Sequence, residues 1–124
     1  MPTTSTSDRI AIFIDVDNLI TEISKTEVPL RLGSIIERIR EEGQAVSMRA
    51  YGDWSQPHVS GYLNEFRDNI VEMTQLAASM YRKNTADIAL AVDALEMTLQ
   101  PAAPDTIVII SGDRDFVPLV QKIV

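Results

Sequence analysis

The chain has 124 residues, a size that suits a single domain with its own hydrophobic core. Its apolar fraction of 45% is typical of a globular protein, and no apolar run reaches the roughly 18–20 residues of a membrane span. The net charge of −7 argues against a surface made for general phosphate binding. The absence of cysteine excludes disulfides and thiolate chemistry, as expected for a cytoplasmic protein, and the single histidine, His58, excludes two-histidine metal sites.

Residues 1–8 are polar and lack the basic and apolar segments of a signal peptide, so we interpret them as a disordered tail. Hydrophobic patterns beyond this tail predict strands over residues 9–15, 45–51, 70–76 and 106–110. Helices are predicted over residues 19–25, 30–43, 57–69, 86–99 and 116–124. This alternation predicts an α/β fold with a central, mainly parallel sheet of about four strands and helices on both faces.

Two expectations concern the C-terminal part of the chain. The helix over residues 86–99 is expected to bury one apolar stripe, formed by Ile88, Val92, Leu95 and Leu99. The chain stops after the helix predicted over residues 116–124, where a parallel fold usually adds one more strand. We therefore expect the final strand to be absent and the domain over residues 9–124 to be truncated from a longer protein.

Two predicted strands are uninterrupted apolar runs that end in pairs of aspartates. Residues 10–14 lead into Asp15, and Thr106–Ile110 lead into a loop that holds Asp113 and Asp115. Ligands of open α/β sheets bind at the carboxyl ends of the strands. If these two strands are neighbours in the sheet, the three carboxylates converge at that edge.

Asp87 is the expected fourth member, because its helix leads into the strand at Thr106–Ile110 and must begin at the same edge. Each pair of carboxylates about 4 Å apart repels by roughly 4 kcal/mol at an effective dielectric near 20, so either some of their pKa values rise or a cation neutralises the site. Oxygen ligands without cysteine or a second histidine indicate Mg²⁺ or Mn²⁺. Such an ion activates water and binds a phosphoryl oxygen, which predicts phosphodiester hydrolysis. Asn18 and Ser111 are expected to orient carboxylates or water.

Structural roles for several of these residues stay open. Asp17 or Asn18 could cap the first helix, and Asp115 could cap the last one. Asp87 could simply complement its helix dipole. Asp93, six positions later on the same helix, is expected to make a structural hydrogen bond.

Aromatic and basic residues near the acidic loops are candidates for substrate binding. Arg49, Tyr51 and Trp54 cluster at the end of the second strand, where aromatic rings beside an arginine could stack the bases of single-stranded RNA. The alternative is that they pack as a rim on the following helix. Lys83 and Arg114 could bind phosphate or offset the charge of the aspartates.

Four segments resemble the signature segments of the NYN domain, a family of PIN-like nucleases. They are FIDVDN at residues 13–18, YGDW at 51–54, KNTADIALAVDAL at 83–95 and SGDRDF at 111–116, in matching order and spacing. The resemblance implies a PIN-like three-layer α/β/α sandwich and a metal-dependent ribonuclease or RNA-binding role. Many members have glycine after the first aspartate, where this chain has Val16.

The same resemblance implies which residues hold the Mg²⁺ or Mn²⁺ ion, namely Asp15, Asp87, Asp113 and Asp115, with Asn18 and Ser111 in support. Bacterial relatives often carry a C-terminal RNA-binding domain. One alternative is a non-catalytic module that binds RNA or protein. Another is a haloacid-dehalogenase-like phosphatase with Asp15 as nucleophile and Asp17 as acid/base. The oligomeric state stays open, a homodimer included.

Overall fold

A computed structural model of the chain describes residues 8–25, 30–76, 85–111 and 119–122, with the backbone alone at 22, 85–88 and 119–122. Its five strands are β1 (Arg9–Asp15), β2 (Gln44–Gly52), β3 (Glu72–Gln75), β4 (Thr106–Ile110) and β5 (Leu119–Lys122). Its helices are α1 (Val16–Ile23), α2 (Leu32–Arg40), α3 (Pro57–Ser60), α4 (Leu63–Asp68) and α5 (Thr85–Thr98).

The strands form one sheet in the order β3-β2-β1-β4-β5. The first four are parallel, which confirms the predicted α/β fold with a mainly parallel sheet. The strand β1 is central, and this position explains its uninterrupted apolar sequence, since a strand covered on both faces has no polar side.

The fifth strand corrects one prediction. A helix is predicted over residues 116–124, but Leu119–Lys122 pair antiparallel with β4. The physical reason is that the outer edge of β4 would otherwise present a row of unpaired backbone N–H and C=O groups. The strand β5 pairs with these groups. Since β5 is antiparallel, the absence of a further parallel strand stays a prediction.

The core has two parts, one on each face of the sheet. Ile10, Ile12 and Ile14 of β1 point to one face, where they pack with buried residues of α1, α2 and α4. Ala11 and Phe13 point to the other, where they pack with residues of β2, β4 and α5. Helix, sheet and helix therefore form the three predicted layers, and the side chains of β1 alternate between the two cores.

Helix α5 turns a different face to the sheet from the predicted one. Leu90 is 4% exposed, whereas Val92, Leu95 and Leu99 are 55%, 64% and 76% exposed. The predicted stripe is therefore wrong at these three positions, and the side chain of Ile88 lies outside the described residues. The helix carries apolar residues all round, so its pattern did not select a face. Asp93, on the buried side, bonds to the sheet instead.

The helix predicted over residues 57–69 is two short helices, α3 and α4, separated by a turn. Helix α1 begins at Val16, three residues earlier than predicted, so it follows β1 without an intervening loop. This direct connection fixes the residues after β1 at the carboxyl edge of the sheet.

Candidate metal centre

The strands β1 and β4 are hydrogen-bonded neighbours, and Ile14 is paired with Ile110. The residues that follow them, Asp15 and Ser111, therefore leave adjacent strands at the same edge. The chain passes from β1 to β2 and β3 on one side and returns to β4 on the other, so this edge is the topological switch point where α/β folds bind ligands. The neighbouring strands postulated from the sequence are confirmed.

A contact between the first turn of α1 and the residue after β4 supports this adjacency. The Asn18 side-chain amide donates a hydrogen bond to Ser111 Oγ at 3.3 Å. The two predicted supporting residues therefore meet, although they are 93 positions apart in the sequence. Their bond joins the start of α1 to the end of β4.

Asp15 is the one charged side chain that the described part of the chain buries, at 4% exposure. The backbone N–H of Asn18 lies 3.4 Å from Asp15 Oδ1, which is the geometry of a long N-cap bond to α1. The prediction that Asp17 or Asn18 caps this helix is therefore wrong, because both lie inside its first turn. Burying a carboxylate costs free energy unless polar groups or a cation compensate it.

Asp17 and Asp53 lie beside this edge in contrasting environments. Burial raises the pKa of Asp17, although a backbone hydrogen bond from Asp53 and the nearby His58 oppose the shift. The exposed Asp53 carboxylate accepts hydrogen bonds from Ser55 Oγ at 2.5 Å and Gln75 Nε2 at 2.8 Å. These bonds hold the pKa of Asp53 well below its usual value, so Asp53 stays ionised.

The remaining predicted carboxylates lie partly or wholly outside the described residues. Asp87 falls in the first turn of α5, but nothing is described of its side chain. Asp113, Asp115, Lys83 and Arg114 lie outside the described residues. Among the side chains that the structure describes, no three acidic or histidine residues lie close enough to hold a metal. The convergence of the four aspartates therefore stays a prediction.

The direction of α5 bears on that prediction. This helix joins β3 to β4, and because those strands are parallel it runs opposite to them. It packs against β1 and β2. Its first turn, with the backbone of Asp87, therefore lies toward the carboxyl edge that Asp15 occupies.

The structural hydrogen bond expected of Asp93 is present. Tyr51 Oη donates to Asp93 Oδ2 at 2.7 Å, and Arg49 Nη1 lies 3.9 Å from the same oxygen. The Tyr51 ring is fully buried and stacks on Phe13 with the ring centroids 6.3 Å apart. This burial favours the packing alternative for Tyr51, because neither face of its ring is open to a base.

The Trp54 side chain is also partly buried. Its ring packs edge-on against Phe66, with the centroids 5.2 Å apart, and its Nε1–H donates to the Thr74 carbonyl at 3.0 Å. Trp54 and Arg49 are each only half-buried. Their role as substrate-binding residues stays a prediction.

The fold and the switch-point residues define an α/β domain with a buried carboxylate, Asp15, at the carboxyl ends of its parallel strands. The chain belongs to the NYN domain family, which matches residues 9–124. This family is PIN-like, its members generally act on RNA, and PIN-like nucleases generally use divalent metal ions. Searches of curated proteins and of solved structures give no match. No described helix is long and apolar enough to cross a membrane.

Proposed function

We propose that this protein is a metal-dependent ribonuclease that hydrolyses phosphodiester bonds of single-stranded RNA at the switch point between β1 and β4. The observation that carries the proposal is Asp15, a carboxylate with 4% exposure at the edge where the loop with Asp113 and Asp115 begins. Membership of the NYN domain family supports the same reading. We also propose a cytoplasmic location, in line with the absence of cysteine.

The donor set fits Mg²⁺ or Mn²⁺. Asp15, Asp87, Asp113 and Asp115 would hold the ion through carboxylate oxygens, which are the hard ligands these cations prefer. The bound ion supplies an activated water and charge stabilisation for the phosphoryl oxygens.

The chain's own groups supply orientation and substrate contacts. The bond from Asn18 to Ser111 joins the first turn of α1 to the residue that follows β4 at this edge. Arg49, Trp54, Lys83 and Arg114 are proposed to contact the RNA, with the basic side chains on phosphates and the indole on a base. A second RNA-binding domain in a longer protein and a homodimer are further proposals, and either would extend the substrate surface.

One observation favours a second candidate function. The net charge of −7 provides little general attraction for nucleic acid, which suits a non-catalytic module that binds RNA or protein. The two functions differ in one property. A nuclease cleaves RNA when the metal is present, whereas a binding module leaves it intact.

The test is cleavage of end-labelled single-stranded RNA by the wild type, Asp113→Asn and the control Asp68→Asn, with Mn²⁺ and with EDTA. Asp68 is an exposed aspartate at the end of α4, so its variant matches the change in charge. We expect cleavage by the wild type and the control with Mn²⁺ only, and none by Asp113→Asn. Activity retained in Asp113→Asn would contradict the proposal, and RNA binding without cleavage by the wild type would support the non-catalytic module. Turnover of an aryl phosphate with RNA untouched would indicate the phosphatase.

A further inference from the structure

Tyr51 lies directly beside Asp15. The two residues are partners in the parallel pairing of β1 with β2, as Phe13 and Arg49 are two positions earlier. Paired residues of neighbouring strands project to the same face of a sheet. Tyr51 and Asp15 therefore share the face that α5 covers, at the carboxyl edge.

The Tyr51 hydroxyl group is enclosed by the protein and needs a partner there. That partner is Asp93 of α5, at 2.7 Å, with Arg49 Nη1 3.9 Å from the same carboxylate oxygen. Arg49 Nε in turn lies 3.4 Å from Glu72 Oε1 on β3. These polar contacts connect Asp93 of α5 to Tyr51 and Arg49 of β2, and Arg49 to Glu72 of β3.

Hydrogen bonds restrict a helix more than its apolar contacts do. Leu90 and its neighbours Ala89 and Ala94 contact the sheet through small or flexible apolar groups, whose attraction has no preferred direction. The bond between Tyr51 and Asp93 requires one distance and one angle. It therefore restricts, at the position of Asp93, how far α5 can shift along its axis or rotate about it.

Asp87 lies six residues before Asp93 on the same helix. At a rise of about 1.5 Å per residue, its backbone lies about 9 Å from Asp93 along the helix axis, in the direction of the N-terminal end of α5. A shift of α5 along its axis moves Asp87 by the same amount relative to Asp15. Metal–oxygen distances tolerate only about 0.2 Å, so the position of the helix decides whether both residues can hold one ion.

We propose that Tyr51 and Asp93 are positioning residues for the metal centre, and that their hydrogen bond holds α5 where Asp87 and Asp15 share one ion. The inference rests on the proposed function, because it concerns the same centre. It assigns Tyr51 a role without contact to RNA, in agreement with the burial of its ring.

Three variants separate positioning from stability. Tyr51→Phe removes only the hydroxyl group. Asp93→Asn keeps an acceptor oxygen for Tyr51 and serves as the conservative rescue. The double variant Tyr51→Phe/Asp93→Leu replaces the bond with apolar packing, so neither the Tyr51 hydroxyl group nor the Asp93 carboxylate is left without the other.

The measurement is Mn²⁺ affinity by titration calorimetry, with the melting temperature in EDTA as a separate readout. Removing partners that orient metal ligands typically weakens metal binding by about 10–100-fold, and we expect this for Tyr51→Phe and for the double variant. Asp93→Asn should keep wild-type affinity. The double variant should melt with the wild type in EDTA yet bind Mn²⁺ weakly, which a merely structural role does not predict.

Three results would overturn the inference in distinguishable ways. If the wild type binds Mn²⁺ and the double variant binds it equally well, the positioning role is wrong and the proposed function stands. If the wild type binds no Mn²⁺, the proposed function fails and the inference fails with it. Loss of affinity in Asp93→Asn together with wild-type affinity in Tyr51→Phe would show that the charge of Asp93 matters and the hydrogen bond does not.

Discussion

The packing of α1 against β2 depends on a glycine at the acidic edge. A Cβ atom on Gly52 would lie 3.0 Å from Val16 Cβ and 3.3 Å from Val16 Cγ1. Val16 is fully buried and follows Asp15 directly. Gly52→Ala should therefore push the first turn of α1 away from β2 and move the residue next to Asp15.

The size of the effect follows from two opposing contributions. Overpacking a buried contact costs about 1–3 kcal/mol, and replacing glycine by alanine returns about 0.4–1 kcal/mol by restricting the unfolded chain. We expect a net loss of about 1–2 kcal/mol in the free energy of unfolding. The melting temperature should fall by about 3–8 °C at this chain length.

Urea unfolding in EDTA measures this loss without any contribution from metal binding. The matched control is Gly61→Ala, where the nearest atom to a new Cβ is the Pro57 carbonyl oxygen at 3.9 Å and φ is −64°. That variant should gain about 0.4–1 kcal/mol. If Gly52→Ala proves as stable as Gly61→Ala, the close approach of α1 to β2 is refuted.

Three further predictions concern stability. Ile70 has a φ of 58° and is 85% exposed. Because asparagine adopts this left-handed conformation more readily than a β-branched residue, Ile70→Asn should raise the free energy of unfolding by about 1 kcal/mol in urea titrations. A loss of stability would contradict the left-handed conformation. Leu90→Ala should cost about 2–5 kcal/mol, whereas Leu95→Ala, at a side chain with 64% exposure, should change stability by less than about 0.5 kcal/mol. Equal losses in thermal melts would contradict the orientation of α5. Because burial raises the pKa of Asp17 above 3.8, the folded state binds the proton more tightly than the unfolded state. This tighter proton binding stabilises the folded state at low pH, and the stabilisation is lost as pH rises through the folded-state pKa. Asp17→Asn should therefore be more stable than the wild type at neutral pH, with a difference that shrinks on acidification, and a difference independent of pH would contradict the shift.

The strands of the fold could be predicted well where burial alone decides. The bounds of β1 and β4 agree with their uninterrupted apolar runs, because such runs persist only when both faces are covered. The strand β5 could not be predicted in this way, since its strand conformation depends on pairing with β4. The buried face of α5 was missed because a contact with Tyr51, distant in sequence, selects it.

The candidate site, like the fold, could be predicted from the sequence only in part. The adjacency of the two strands before Asp15 and Ser111 is a condition of the predicted site, and their pairing meets it. The sequence pattern also predicted a structural bond for Asp93, although not its partner. The position of Asp15 at the N-cap of α1 was missed, yet aspartate is among the residues preferred directly before a helix.

The most direct test of the metal centre is a Mn²⁺ titration followed by calorimetry on the wild type, Asp15→Asn and Asp68→Asn. Asparagine keeps the shape of the buried Asp15 side chain and removes its charge, while Asp68→Asn makes the same change at an exposed position. We predict saturable binding by the wild type and Asp68→Asn, and none by Asp15→Asn. Equal affinity in all three proteins would contradict a metal centre at this edge of the sheet.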